Sequence, residues 1–128
     1  MRNPKFLAPT STIKRMIAQF CNEISQEMYG LGVKKQRIEL YDDKIIIFGQ
    51  HKRVPALTAL TGKYGDLTLT VDAALVREYK ERLKEYLEKE LNLQVLTILK
   101  DYDPNTENAF IAIYLKKPLS IHDGLPAS

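Results

Sequence analysis

Apolar residues at Ile13, Met16, Ile17, Phe20, Ile24 and Met28 recur every three or four positions, the spacing of one helix face. Lys14, Arg15, Gln19, Asn22, Glu23 and Gln26 fill the opposite side. Thr10-Ser11-Thr12 supplies N-cap hydroxyls ahead of the stripe, and Gly30 suits a left-handed end after it. The pattern predicts a helix from about Thr12 to Tyr29. Lys35 to Tyr41 then alternates weakly around Ile38 and Leu40. Asp42-Asp43 is turn chemistry, and Lys44 to Phe48 is a second strand, so the pair reads as a hairpin.

Pro55 suits the first turn of a helix, which predicts a short one to about Thr61, broken by Gly62-Lys63-Tyr64-Gly65. Asp66 to Val71 alternates and is open between an extended link and an edge strand. From Asp72, the stripe Leu75, Val76, Tyr79, Leu83, Tyr86, Leu87 and Leu91 predicts a long helix, with Asn92 at its end. Glu78 with Arg82 and Glu85 with Lys89 are i,i+4 pairs in the favoured order. Gln94 to Lys100 and Ala109 to Leu115 read as strands three and four, joined through the turn Asp103-Pro104-Asn105-Thr106.

The expected fold is α+β, in the order α-β-β-α-α-β-β. Two β-hairpins form one antiparallel four-stranded sheet, with two long helices on one face. Residues 1–11 are expected as a flexible N-terminal arm, residues 12–117 as a single domain, and residues 118–128 as an irregular tail or linker. Strands two and four carry apolar groups on both faces: Phe110, Ala112 and Tyr114 against Ile111, Ile113 and Leu115 in the fourth. Two helices cover only one face of such a sheet. A second copy of the chain is the simplest cover for the other, with sheets face to face or helices exchanged. The expectation is a homodimer burying at least ~1,000 Å² in total.

Composition narrows the function more than it names one. The 128 residues are 45% hydrophobic and 27% charged, the balance of a globular domain. A net charge of +3 from mixed acids and bases gives no case for nucleic acid as a partner. No apolar run approaches the ~18–20 residues of a membrane helix, which argues against direct membrane insertion. The lone Cys21 permits no internal disulfide and fits a reducing, cytoplasmic compartment. Its place beside Phe20 and Ile24 predicts a buried, unreactive thiol. The two histidines, His51 and His122, lack metal-ligand spacing, and nothing calls for a metal or a cofactor. No nucleophile motif, phosphate loop or acid–base pair stands out, so the chain reads as no enzyme.

One stretch invites a site reading. His51, Lys52 and Arg53 end a strand just before the Pro55 helix, where basic groups beside free N–H groups can hold a small anion. The plainer alternative is a polar, solvated corner. Beside that helix start Lys52 and Arg53 are expected to be exposed and not buried in ion pairs.

Met28-Tyr29-Gly30-Leu31-Gly32-Val33-Lys34-Lys35, followed by Asp43-Lys44-Ile45-Ile46-Ile47, resembles the glycine-x-glycine and hairpin opening of the MpsC-like family. These are small bacterial proteins named for one component of a cation-translocating, membrane-potential-generating system. The likeness runs over roughly residues 13–116, through the long helix and on to Val95–Asp101 and Thr106–Leu115. Val33, Asn92 and the stretch from Gln50 to Pro55 depart from the family pattern and mark a divergent subgroup. The resemblance implies an accessory role beside a membrane system for cation or bicarbonate movement, with a membrane-transport protein as a partner and a place peripheral to the membrane. It supplies no catalytic residues. Two alternatives stand beside it: a small-anion or small-ligand-binding regulatory module using His51, Lys52 and Arg53, and an enzyme whose site forms between two copies of the chain.

Overall fold

The computed structural model describes residues 9–119. In chain order the elements are α1 (Thr10–Tyr29), β1 (Lys34–Leu40), β2 (Lys44–Gln50), α2 (Pro55–Leu60), α3 (Gly65–Glu90), β3 (Val95–Asp103) and β4 (Asn108–Leu115). The strands form one antiparallel sheet in the order β1-β2-β4-β3, with β2 and β4 joining the two hairpins at its centre. The expected α+β architecture and element order are those of the molecule.

Ile13, Ile17, Phe20 and Ile24 of α1 and Tyr79, Leu83 and Leu87 of α3 pack onto Ile38, Ile45, Ile47, Ile98, Ile111 and Ile113 of the sheet. Each aliphatic side chain among them gains roughly 1.5–3 kcal/mol from full burial. The two helices therefore cover one face, and they meet each other where Phe20 stacks on Tyr86 at 4.9 Å.

The glycine-x-glycine link between α1 and β1 has a physical cause at each glycine. Gly30 ends α1 with φ 76°, a left-handed cap that favours glycine. Gly32 lies against the Asn22 side chain, where a Cβ would collide with the amide oxygen. That oxygen accepts a hydrogen bond from the Val33 N–H at 3.1 Å. A Cβ at position 32 would break this strap from α1 to β1.

β2 and β3 run on to Gln50 and Asp103, past the expected ends at Phe48 and Lys100, and two helix starts differ from the sequence reading. α1 starts at Thr10, with Pro9 at the N-cap position and no side-chain cap, so residues 10 and 11 of the expected arm are helical. The rest of the expected arm, apart from Pro9, lies outside the described residues, as does the expected tail beyond Leu119. The larger correction is in α3, which begins at Gly65 and not Asp72, so Asp66 to Val71 is neither an extended link nor an edge strand. Its leucines alternate with β-branched residues, which resembles a strand. In the helix, Thr68 and Thr70 donate their hydroxyls back to the carbonyls of Gly65 and Asp66 at 3.0 and 3.1 Å. This back-bonding satisfies the β-branched hydroxyls within the helix. Asp66 in the first turn suits the positive end of the helix dipole.

Candidate functional site

The chain leaves β2 at Gln50 and turns His51 inward. The His51 N–H donates to the Glu107 carbonyl at 3.2 Å, and its carbonyl accepts from the Tyr102 hydroxyl at 2.9 Å. These bonds fix the ring between Tyr29 and Tyr102, with centroids 5.0 and 4.3 Å away and planes within 11° of parallel. The residue is 5% exposed. Neither ring nitrogen has a hydrogen-bond partner among the described residues. Burial, reinforced by the nearby Lys100 charge, pushes the imidazole pKa down to about 4, so the ring is neutral at pH 7.

The other two basic residues diverge from it. Lys52 is exposed, as expected. Arg53 is not: its side chain is 9% exposed and pairs with Asp72 of α3 at 2.8 Å. Its second guanidinium nitrogen donates to the Thr61 hydroxyl, and its backbone N–H donates to the Glu107 carboxylate at 3.3 Å. The expectation of an Arg53 that is exposed and not buried in an ion pair is thus corrected, because α2 and α3 fold back and bring a carboxylate to it. His51, Lys52 and Arg53 all border one small space beside Tyr29, Asp72 and Tyr102, but only Lys52 is exposed, while His51 is buried and Arg53 is paired. Sequence reading missed Tyr29, Tyr102 and Asp72, the residues that hold this corner.

Beneath the sheet, Cys21, Gln36, His51, Tyr79 and Lys100 border a cavity of about 10 Å³. A neighbouring space of about 20 Å³ lies between Tyr29, Arg53, Asp72 and Tyr102. Each is water-sized. Lys100 Nζ sits 4.5 Å from the Tyr79 ring centroid and 5.7 Å from that of Tyr102, and it joins no ion pair among the described residues. Burial lowers its pKa to about 8. The Tyr79 hydroxyl donates to the Cys21 carbonyl at 3.4 Å, and burial holds the tyrosine protonated.

Burial also pushes the Cys21 thiol up to about 11. The thiol is therefore un-ionised at pH 7 and enclosed, while thiol reagents need an accessible thiolate. Labelling of native protein at pH 7 is expected to be at least a hundredfold slower than in denaturant. Equal rates in the two conditions would contradict the packing. Among the described residues no group of three or more His, Cys, Asp or Glu side chains is placed to hold a metal ion.

Among the described residues no helix lies on the opposite sheet face. The strand registers arrange it in rows. One row across β1-β2-β4-β3 reads Arg37, Phe48, Phe110, Asp101. On one side of it lies Lys34, Gln50, Asn108, Asp103, and on the other Glu39, Ile46, Ala112, Leu99. Phe48 and Phe110 meet edge to face at 5.4 Å, and the Arg37 guanidinium covers Phe48 at 4.4 Å. Phe110 and Leu99 remain 43% and 54% exposed. This apolar centre is flanked on β1 by Lys34, Arg37 and Glu39 and on β3 by Asp103, Asp101 and Leu99, so net positive charge stands on one side and negative on the other.

No helix among the described residues is long and apolar enough to cross a membrane. Searches of curated proteins and of solved structures return no match. A family profile does match, over residues 10–117, which takes in every element from α1 to β4. Gly30, Gly32 and the β1–β2 hairpin, which carry the family resemblance, lie inside that span. The chain belongs to the MpsC family, described as Na+-translocating membrane potential-generating system (MpsC).

Proposed function

We propose that this chain is a non-enzymatic accessory protein of the membrane-potential-generating system for which its family is named. It acts by protein–protein contact, as a homodimer, on the cytoplasmic side of the membrane. The uncovered sheet face carries this reading. Phe110 and Leu99 stand exposed at the centre and edge of a folded sheet, where water contact costs each of them part of the roughly 1.5–3 kcal/mol that burial would return. The buried chamber at His51 supports the non-enzymatic part. Its imidazole is neutral and enclosed, its thiol is un-ionised, and Arg53 is neutralised by Asp72.

Light scattering on the purified chain tests the assembly. A dimer mass at micromolar concentration is expected, and a mass near 14.7 kDa would overturn it. Sodium-dependent membrane potential in cells lacking the chain tests the accessory role. The potential is expected to fall and to return on complementation. An unchanged potential would overturn that role.

A further inference from the structure

The geometry points to one arrangement of that dimer: two copies stacked sheet on sheet about a two-fold axis parallel to the strands, between β2 and β4. It rests on the self-association proposed above and adds which residues meet. An axis along the strands carries each cross-strand row onto itself in reverse order. Arg37 of one copy then lies over the partner's Asp101, and Asp101 over the partner's Arg37, because the row reads Arg37, Phe48, Phe110, Asp101.

The next row agrees, and the third does so at its centre, while its ends set Glu39, already paired with Arg37, over the partner's Leu99. Lys34 and Asp103 occupy the two ends of the next row, so they also meet as opposite charges. At the centre Phe48 meets the partner's Phe110. In the third row Ile46 meets the partner's Ala112, large against small, as facing sheets need in order to interdigitate. The two-fold axis in the same plane but across the strands gives the opposite result. Run through the Arg37 row, it places Arg37 over the partner's Arg37 and Asp101 over the partner's Asp101, and only Lys34 and Glu39 of the flanking rows then meet as opposite charges.

The size is adequate. Four strands at ~4.8 Å spacing and about seven residues at ~3.4 Å give roughly 450 Å² in plan per copy. Two copies reach the order of the ~1,000 Å² a specific interface needs once side-chain relief is counted. Arg37 is free to take part: its side chain is 67% exposed, and its pairing with Glu39 at 3.2 Å is at the surface.

Charge reversal tests the axis. Dissociation of the full chain is measured by sedimentation at low salt for the wild type, Arg37→Asp, Asp101→Arg and the double variant. Each single reversal alters two symmetric contacts, and each is expected to weaken the dimer by about tenfold. The double variant is expected to recover most of that loss, and high salt to blunt the differences. Thermal melting of each variant confirms that the fold is intact, since both positions are exposed. A dimer unaffected by either single reversal, or singles with no recovery in the double, overturns this axis and leaves the homodimer standing. A monomeric wild type overturns the homodimer itself.

Discussion

Acidification from pH 6.5 to pH 4 is expected to destabilise the wild-type chain by up to about 3 kcal/mol more than it destabilises His51→Phe. The imidazole is enclosed between Tyr29 and Tyr102, with Lys100 the charge that disfavours its protonation. Arg53, Asp72 and Glu107 lie around the same corner, the first two already paired with each other. The unfolded chain binds a proton near pH 6.5, whereas the folded one resists until about pH 4. Between these values the unfolded state holds more protons, so stability falls as the pH falls. The contribution is complete above 6.5, is lost through the window and is flat below it. Phenylalanine keeps the ring stack and removes the titrating group. At pH 7 the two proteins should differ by about 1–2 kcal/mol, the cost of fitting one more ring atom beside the small spaces that border His51. Carboxylates also titrate here, but they are common to both proteins and cancel in the difference. Urea unfolding at pH 7, 5.5 and 4 measures it, and parallel loss in the two proteins would refute the burial of a neutral His51.

That prediction comes from a residue whose position the sequence did not disclose. The stripe from Ile13 to Met28, the hairpin at Asp42-Asp43 and the two-sided apolar strands were legible because helices and strands repeat within four residues. Such patterns also pointed to the sheet and the uncovered face, since Phe110, Ala112 and Tyr114 alternate with Ile111, Ile113 and Leu115. His51 has no such local signal. Its burial is set by Tyr29 and Tyr102, which are far away along the chain and reach His51 from the end of α1 and from β3 only in the folded chain. Asp66 to Val71 failed for the converse reason. Its local alternation favours a strand, but its hydroxyls close back onto α3 and no strand edge receives it. Reading Arg53 as exposed followed from its place beside the Pro55 helix start, where nothing local shows that α3 returns to it with Asp72.

Asp72→Ala is expected to cost about 2–3 kcal/mol, while Arg53→Met costs about 1 kcal/mol and the double variant little more than Arg53→Met alone. The asymmetry follows from exposure. The Arg53 side chain is 9% exposed and that of Asp72 is 23% exposed. Removing Asp72 leaves a guanidinium enclosed with only the Thr61 hydroxyl to receive it, and its Nε already has no partner among the described residues. Removing Arg53 leaves a carboxylate that can turn to water, and methionine refills the space along Leu57 and Val76. Once the cation is gone, Asp72 has no charge to neutralise, so its loss adds little. The strap also fixes the start of α3, because Asp72 lies two turns into a helix that begins at Gly65. Amide exchange over residues 65–71 should therefore quicken in Asp72→Ala more than exchange around Leu83 and Leu87. A double-mutant cycle by urea unfolding at pH 7 gives the coupling directly, expected at about 2–3 kcal/mol. Equal costs for the two single variants, or costs that add, would mean that Arg53 is hydrated in solution and that the corner is the open basic surface its sequence suggests.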